Sequence, residues 1–289
     1  MTASKLFIRE LSDLHLEYCY DQYDAPTGLA AERLSTIIPH LPEDSETVLI
    51  VGGDLATARR VGRIGTFLRL VLPRFKHVIY VLGNHEHYNF VMDETLPTIW
   101  EEVSKDGMPT NLTIAGNVPE KVEIDGVTFL CGTLWTNYGG ADAEEVHTLV
   151  KRHITDHKVI FTKDIHGTHA VSPRELSLIH RKTLEQFAEW MEGADTSRTV
   201  ICTHHMPSFT AVDPRFMKNA ISRVLNHAFA SDLDDFILKY RPAVWTFGHT
   251  HSRFFGKVGT TQLICNPFGY PNEGNLQSGV YDPMMRFDI

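Results

Sequence analysis

Short apolar runs rich in β-branched residues recur along the chain, each closed by a polar or glycine-containing turn: Leu6 to Leu11, Val48 to Val51, Val78 to Leu82, Thr128 to Cys131, Thr199 to Thr203 and Ala243 to Phe247. Runs of this length and composition predict buried strands that end in loops. Between them, apolar positions return with helical spacing over roughly Arg59 to Leu72, Asp93 to Val103, Pro173 to Met191 and Leu233 to Tyr240. The third of these helices has a start signal, because Ser172-Pro173-Arg174-Glu175 combines a capping box with proline at the first helical position. The fourth must stop before Pro242, which can neither donate a backbone hydrogen bond nor fit a helix interior.

Strand and helix alternate through the first hundred residues, and short strands then dominate around Val122 to Thr133 and Phe254 to Ile264. Such an order predicts a layered α/β fold with sheet packed on sheet. The stretch from Trp135 to Val171 differs: His147, His153, His157, His166 and His169 crowd it, and it shows little periodicity. It reads as a long loop or cap insertion, at about 135–171, in one domain spanning 1–289.

Composition narrows the class. With 43% hydrophobic and 22% charged residues in 289, the chain has what a globular protein needs to bury a sizeable core. A formal charge of -9 supplies no general field for a polyanion, so extended nucleic acid is disfavoured as a partner. Arg59, Arg60 and Arg63 cluster, but at a spacing that suits the solvated face of a helix. Cys19, Cys131, Cys202 and Cys265 lie far apart with no CxxC pair, which suits a reducing, cytoplasmic setting. The N-terminus lacks an apolar h-region, and no segment approaches the length of a membrane span.

Candidate chemistry sits at the ends of the predicted strands. Asp13-Leu14-His15, Gly53-Asp54, Gly83-Asn84-His85-Glu86, His204-His205 and Gly248-His249-Thr250-His251 each follow an apolar run. In an α/β sheet such positions converge on a common crevice. Alone, each is weak: a second Asp-x-His, Asp164-Ile165-His166, follows no good strand, and an Asp after a strand often just caps the next helix. Together they offer only oxygen and imidazole donors, which suit Mn, Fe or Zn better than thiolate-selected metals, and Mg less well because it prefers oxygen.

In this order the five clusters resemble the calcineurin-like metallophosphoesterase superfamily, from Asp13 to His251. The resemblance implies a four-layer α-β-β-α sandwich of two packed mixed sheets flanked by helices. It implies two metal ions, one held by Asp13, His15, Asp54 and His251, the other by Asp54, Asn84, one of the pair His204 and His205, and His249. Asp54 would bridge them, which makes physical sense because its charge offsets the repulsion between two cations. His204 follows its strand directly, as the family's ligand does; His205 fits the family's habit of placing proline two residues after the ligand, and whichever is not a ligand would support the other or contact substrate. The implied reaction is attack on phosphorus by a hydroxide shared between the metals, with His85 stabilising the transition state or protonating the leaving group.

Substrate contacts are expected from Asn84, His85, His205 and Arg253, although an arginine in the last position is often simply exposed. His87, Tyr88, Asn89 and Trp135 could form a pocket wall or merely pack. The Gly-Asp-x-x-Asp-Arg-Gly run of the superfamily's protein phosphatases is absent, since Asp54 is followed by Leu55-Ala56-Thr57-Ala58-Arg59. A likeness to mostly uncharacterised bacterial members rests on Thr203 to Ser208, Gly132-Thr133-Leu134-Trp135 and Asn266-Pro267-Phe268-Gly269-Tyr270. The expectation is therefore a hydrolase of a small phosphoester, with a nuclease and a catalytically silent scaffold of the same fold as alternatives.

Overall fold

The computed structural model describes residues 5–18, 31–140 and 143–289, with side chains from Leu34 onward in the second span. Its strands are β1 (Phe7–Leu11), β2 (Thr47–Val51), β3 (His77–Val81), β4 (Phe90–Val91), β5 (Leu112–Ala115), β6 (Glu120–Ile124), β7 (Val127–Gly132), β8 (Ile160–Asp164), β9 (Gly167–Ala170), β10 (Thr199–Thr203), β11 (Val244–Thr246), β12 (Phe254–Val258), β13 (Thr261–Cys265) and β14 (Arg286–Asp288). The helices are α1 (Ala31–Ile37), α2 (Val61–Val71), α3 (Met92–Val103), α4 (Glu144–His153), α5 (Asp156–Val159), α6 (Pro173–Met191), α7 (Ala220–Leu225), α8 (Asp234–Tyr240) and α9 (Asn275–Ser278).

Two mixed sheets dominate, ordered β14-β1-β2-β3-β5 and β12-β13-β11-β10-β7-β6. Within the first, only β14 runs antiparallel to its neighbour; within the second, β12 and β6 do. Side chains alternate between two cores along each central strand, as the period of two requires. Leu49 and Val51 of β2 face the helical side with Ile64, Phe67 and Ile99, while Val48 and Ile50 face the other sheet with Ile79, Phe129 and Val200. On the far side Ile201 and Trp245 pack against Phe187 and Ile237 of α6 and α8. Helices, sheet, sheet and helices therefore form the four layers that the resemblance implied.

Local signals act where expected. The Ser172 hydroxyl accepts from the Glu175 amide, and the Glu175 carboxylate accepts from the Ser172 amide, closing the capping box of α6. The last helix before Pro242 ends at Tyr240, with Arg241 in the left-handed region. Asp164 ends β8 and His166 sits in the turn before β9, both exposed and away from the other polar clusters. Of the cysteines, Cys131 and Cys202 prove to be neighbours in register on β7 and β10; Cys19 lies outside the described residues. Among the described residues no helix is long and apolar enough to cross a membrane.

The 135–171 stretch is not a long loop. It holds α4, α5 and the β8–β9 hairpin, and β8 joins β4 in a third, three-stranded sheet. Val150, Ile160, Val171, Trp135 and Tyr138 give it a small apolar core shared with Leu176 of α6. That core locks the insertion against the rim of the crevice.

Candidate metal centre

The carboxyl ends of β1, β2, β3, β10 and β11 converge, and each delivers one of the polar clusters. The first two loops are stitched together by their backbones: Asp13 N–H donates to the Gly53 carbonyl, His15 N–H to that of Asp54 and Leu16 N–H to that of Leu55, each at 2.9 Å. Beneath them the buried Glu86 carboxylate accepts from the amides of Asp54, Leu55 and Gly83 and from the Tyr80 hydroxyl, at 2.7–3.2 Å. Burial, then the Asp54 charge, pushes the Glu86 carboxyl up to about 7. These loops bend sharply: Asp13, His15, Asp54, His249 and His251 all have positive φ, between 45° and 68°. Side chains rarely adopt that region, at roughly 1–3 kcal/mol each, and strain of this kind gathers at functional sites.

Two glycines are required by space. A Cβ at Gly83 would meet Asp54 Oδ1 at 2.2 Å, and one at Gly248 would meet the Gly52 carbonyl and Asp13 Oδ2 within 2.9 Å.

The donors form two clusters, Asp13 with His15 and His251, and Asp54 with His204 and His249; within each, the ligand atoms lie within 4.8 Å of one another. Asp54 lies between them. Its Oδ2 is 3.7 Å from His15 Nε2 and its Oδ1 3.4 Å from His204 Nε2, so the two oxygens face different clusters. His204 donates from Nδ1 to the Gly52 carbonyl at 2.8 Å, which turns its Nε2 toward Asp54 and toward Asn84 Oδ1, 3.1 Å away. His205 points elsewhere. Fully buried, it packs against Trp135 and His249 and reaches the Thr133 carbonyl, so the geometry favours His204 as the ligand and puts His205 behind His249 rather than in the cavity.

Carboxylates outside the ligand set orient the rings. Glu17 accepts from Nδ1 of both His15, at 3.2 Å, and His85, at 2.8 Å. Those three also form a compact donor group, but the carboxylate bonded to two imidazoles accounts for it. Glu273 accepts from His251 Nδ1 at 2.8 Å. The Asn84 amide donates to Asp156 at 3.0 Å, and the Tyr88 hydroxyl donates to the same oxygen at 2.7 Å. Asp156 belongs to the insertion, so a residue 72 positions away aims the amide whose oxygen faces the second cluster.

The donor set fits cations. With their Nδ1 protons committed to Glu17 and Glu273, His15 and His251 face each other through Nε2 at 3.0 Å, an arrangement that calls for a proton or a cation between them. Buried Asp13 and Asp54 pair with histidine rings, Asp13 with His251 and Asp54 with His15 and His204. Burial would push the Asp54 carboxyl up, but the charges of His204, His85 and His15 hold it well below the usual range. Burial would likewise lower the neighbouring rings, yet Asp54 raises His204 to about 9, and Asp13 and Glu273 raise His251 to about 10. Protons on these imidazoles stand where positive charge is needed, and cation binding must displace them.

Above the centre lies a cavity of about 340 Å³, lined by Asp54, Asn84, His85, Tyr88, His249 and His251 at its base. His85 stacks on Tyr88, with ring centroids 4.0 Å apart, and its Nε2 faces the Tyr270 hydroxyl at 3.2 Å. Burial lowers His85, but Asp54 and Glu17 outweigh it and the ring is raised above its ordinary value. Of the other expected contacts, Tyr88 lines the cavity; Trp135 and His87 are buried behind it and Asn89 is exposed. Arg253 is exposed, pairs with Asp282 at 3.1 Å and borders a neighbouring groove instead. Sequence reasoning missed Glu17, Asp156, Glu273 and the role of Tyr270.

Donors of this kind, gathered at the strand ends of a two-sheet α/β sandwich, define a protein built to hold hydrolytic metal ions. The model for the calcineurin-like phosphoesterase family matches residues 8–253, and the chain belongs to that family. It is 25% identical to "Uncharacterized protein L509" of Acanthamoeba polyphaga mimivirus over 301 residues, covering 98% of this chain and 96% of the other. Its fold is similar to that of the phosphopantetheinyl hydrolase PptH from Mycobacterium tuberculosis, with a TM-score of 0.62 and 16% identity over 95% of this chain and 93% of that one.

Proposed function

We propose that the protein is a dinuclear metal-dependent hydrolase of small phosphoesters. The observation that carries this reading is the placement of Asp54, whose two carboxylate oxygens face two separate donor clusters. Asp13, His15, Asp54 and His251 would hold one ion, and Asp54, Asn84, His204 and His249 the other. Two such ions would supply water acidified enough to attack phosphorus near neutral pH and positive charge for the phosphoryl oxygens.

The chain's own residues do the rest. Glu17 fixes the His85 tautomer by accepting its Nδ1 proton, which leaves Nε2 as the atom that faces the cavity. When protonated, His85 presents its second proton at Nε2, the atom turned to the cavity, where it can pass to the departing oxygen. Tyr88 stacks on the ring and keeps it from rotating away. Asp156 and Glu273 hold Asn84 and His251 with their ligand atoms inward.

The test is turnover by Mn²⁺-loaded protein of p-nitrophenyl phosphate, bis(p-nitrophenyl) phosphate, cyclic nucleotides, phosphopantetheine and single-stranded DNA. Hydrolysis of small esters that is abolished by Asp54→Ala supports the reading. Cleavage of DNA alone would make the protein a nuclease, and metal binding without any turnover would make it a scaffold.

A further inference from the structure

The cavity above the metal centre has walls of a kind the chemistry at its base does not require. Ile154 enters from the insertion, and Met206, Val212, Phe216 and Phe229 enter from the segment that follows β10. Phe216 is 49% exposed, an aromatic ring standing at the mouth of a polar site. Among the described residues no lysine or arginine lines the cavity; its charged side chains beyond the bridging Asp54 are the carboxylates of Asp156 and Glu273 and the rings of histidines. Arg215 and Arg253 lie in the adjoining groove and are engaged by Asp213 and Asp282.

We infer, on the strength of the function proposed above, that the substrate carries one phosphoryl group on an uncharged, largely apolar arm that seats against Phe216, Phe229, Val212, Met206 and Ile154. The phosphoryl group would lie over the metal centre held by the proposed ligands, and the arm in the remaining volume of the cavity. A second phosphate on that arm would meet the Asp156 and Glu273 carboxylates and the apolar walls, with His153, Thr155, Asn226 and Thr250 as the other polar side chains, where anion sites elsewhere supply arginine, lysine or backbone amides. An apolar arm instead removes exposed Phe216 and half-buried Phe229 and Ile154 from water, which is how small-molecule pockets gain most of their affinity. Polyphosphates, bisphosphorylated sugars and nucleic-acid strands are excluded on the same ground. Ile154 lies two residues before Asp156, so the segment that orients Asn84 also shapes the arm's wall.

Calorimetry on Mn²⁺-loaded protein with three non-hydrolysable probes tests this: phenylphosphonate, methylphosphonate and 1,4-phenylenediphosphonate. Phenylphosphonate is expected to bind roughly tenfold more tightly than methylphosphonate, the scale of a well-stacked ring. The diphosphonate, with a second anion on the same ring, is expected to bind at least roughly tenfold more weakly than phenylphosphonate. Phe216→Ala, at a half-exposed position, is expected to keep the wild-type circular dichroism and to lower the phenyl-to-methyl affinity ratio severalfold, and Phe216→Leu to restore part of it. Equal affinity for all three probes, a preference for the diphosphonate, or a ratio that Phe216→Ala leaves at its wild-type value would overturn the inference. Those outcomes in a protein that still hydrolyses small esters leave the phosphoesterase reading standing. If no probe binds and no ester is hydrolysed, that reading fails and takes the inference with it.

Discussion

Removing Asp156 tests whether the insertion helps build the metal centre. Its carboxylate is 2% exposed and accepts from the Asn84 amide at 3.0 Å and the Tyr88 hydroxyl at 2.7 Å. Asp156→Ala takes that acceptor from the buried Asn84 amide, which costs about 1–3 kcal/mol, and from the half-buried Tyr88 hydroxyl, which can turn to water in the cavity and costs less. The larger consequence is local. Asn84 then keeps only the Tyr88 hydroxyl, 3.2 Å from its amide nitrogen, to hold its Oδ1 where it now lies 3.1 Å from His204 Nε2. Loss of an orienting partner of this kind weakens a metal site by about 10–100-fold. The cluster of Asp13, His15 and His251 is oriented by Glu17 and Glu273 and is expected to keep its affinity. Competition titration of Mn²⁺ against a chelating dye should therefore show one site weakened and one intact, and Asp156→Asn, which keeps an acceptor oxygen, should fall between. If Asp156→Ala bound two ions with wild-type affinity and turned over at the wild-type rate, the insertion would have no part in the centre.

Three further outcomes follow from the same geometry. His85→Ala should retain metal and lose about 10²–10⁴-fold in kcat, as loss of a general acid does, whereas Glu17→Gln should lose less and shift the acid limb of the pH–rate profile; wild-type rates across pH would remove His85 from the mechanism. Gly83→Ala should abolish metal binding with little change in helix content, because its Cβ would lie 2.2 Å from Asp54 Oδ1; normal metal content measured by mass spectrometry would contradict this. His180 is buried on α6 and pushed down to about 4 by burial, against its ordinary 6.5, so the folded state holds it neutral. The stability this contributes is complete above pH 6.5 and is lost as pH falls from there through about 4, on the order of 3 kcal/mol. Urea denaturation from pH 7 to 4 should show the loss, and His180→Gln should flatten it; identical slopes would refute the assignment.

Much of the architecture was legible because central parallel strands are buried on both faces and so read as unbroken apolar runs, Val48 to Val51 and Thr199 to Thr203 among them. Polar clusters directly after such runs had to fall at one end of the sheets, which is why Asp13, Asp54, Asn84, His204 and His249 could be grouped without coordinates. The insertion was harder. Its helical stripe is only Val146, His147 and Val150 on α4, and a buried histidine in that stripe hides the periodicity. Two-residue β4 and three-residue β14 exist by virtue of their partners and carry no strand signal of their own. Glu17, Asp156 and Glu273 resemble any acidic residue in sequence; only the fold brings them to His15, Asn84 and His251. Whether His204 or His205 faces the centre turned on one hydrogen bond, from His204 Nδ1 to the Gly52 carbonyl, which links residues 152 positions apart.

The central claim is that one carboxylate serves two cations. Crystals equilibrated with Mn²⁺ and measured at the manganese absorption edge would test it most directly. Two anomalous peaks should flank Asp54, about 3.5–4 Å apart, one beside His15 and His251 and the other beside His204 and Asn84. A single peak, or peaks that leave Asp54 uncoordinated, would contradict the account.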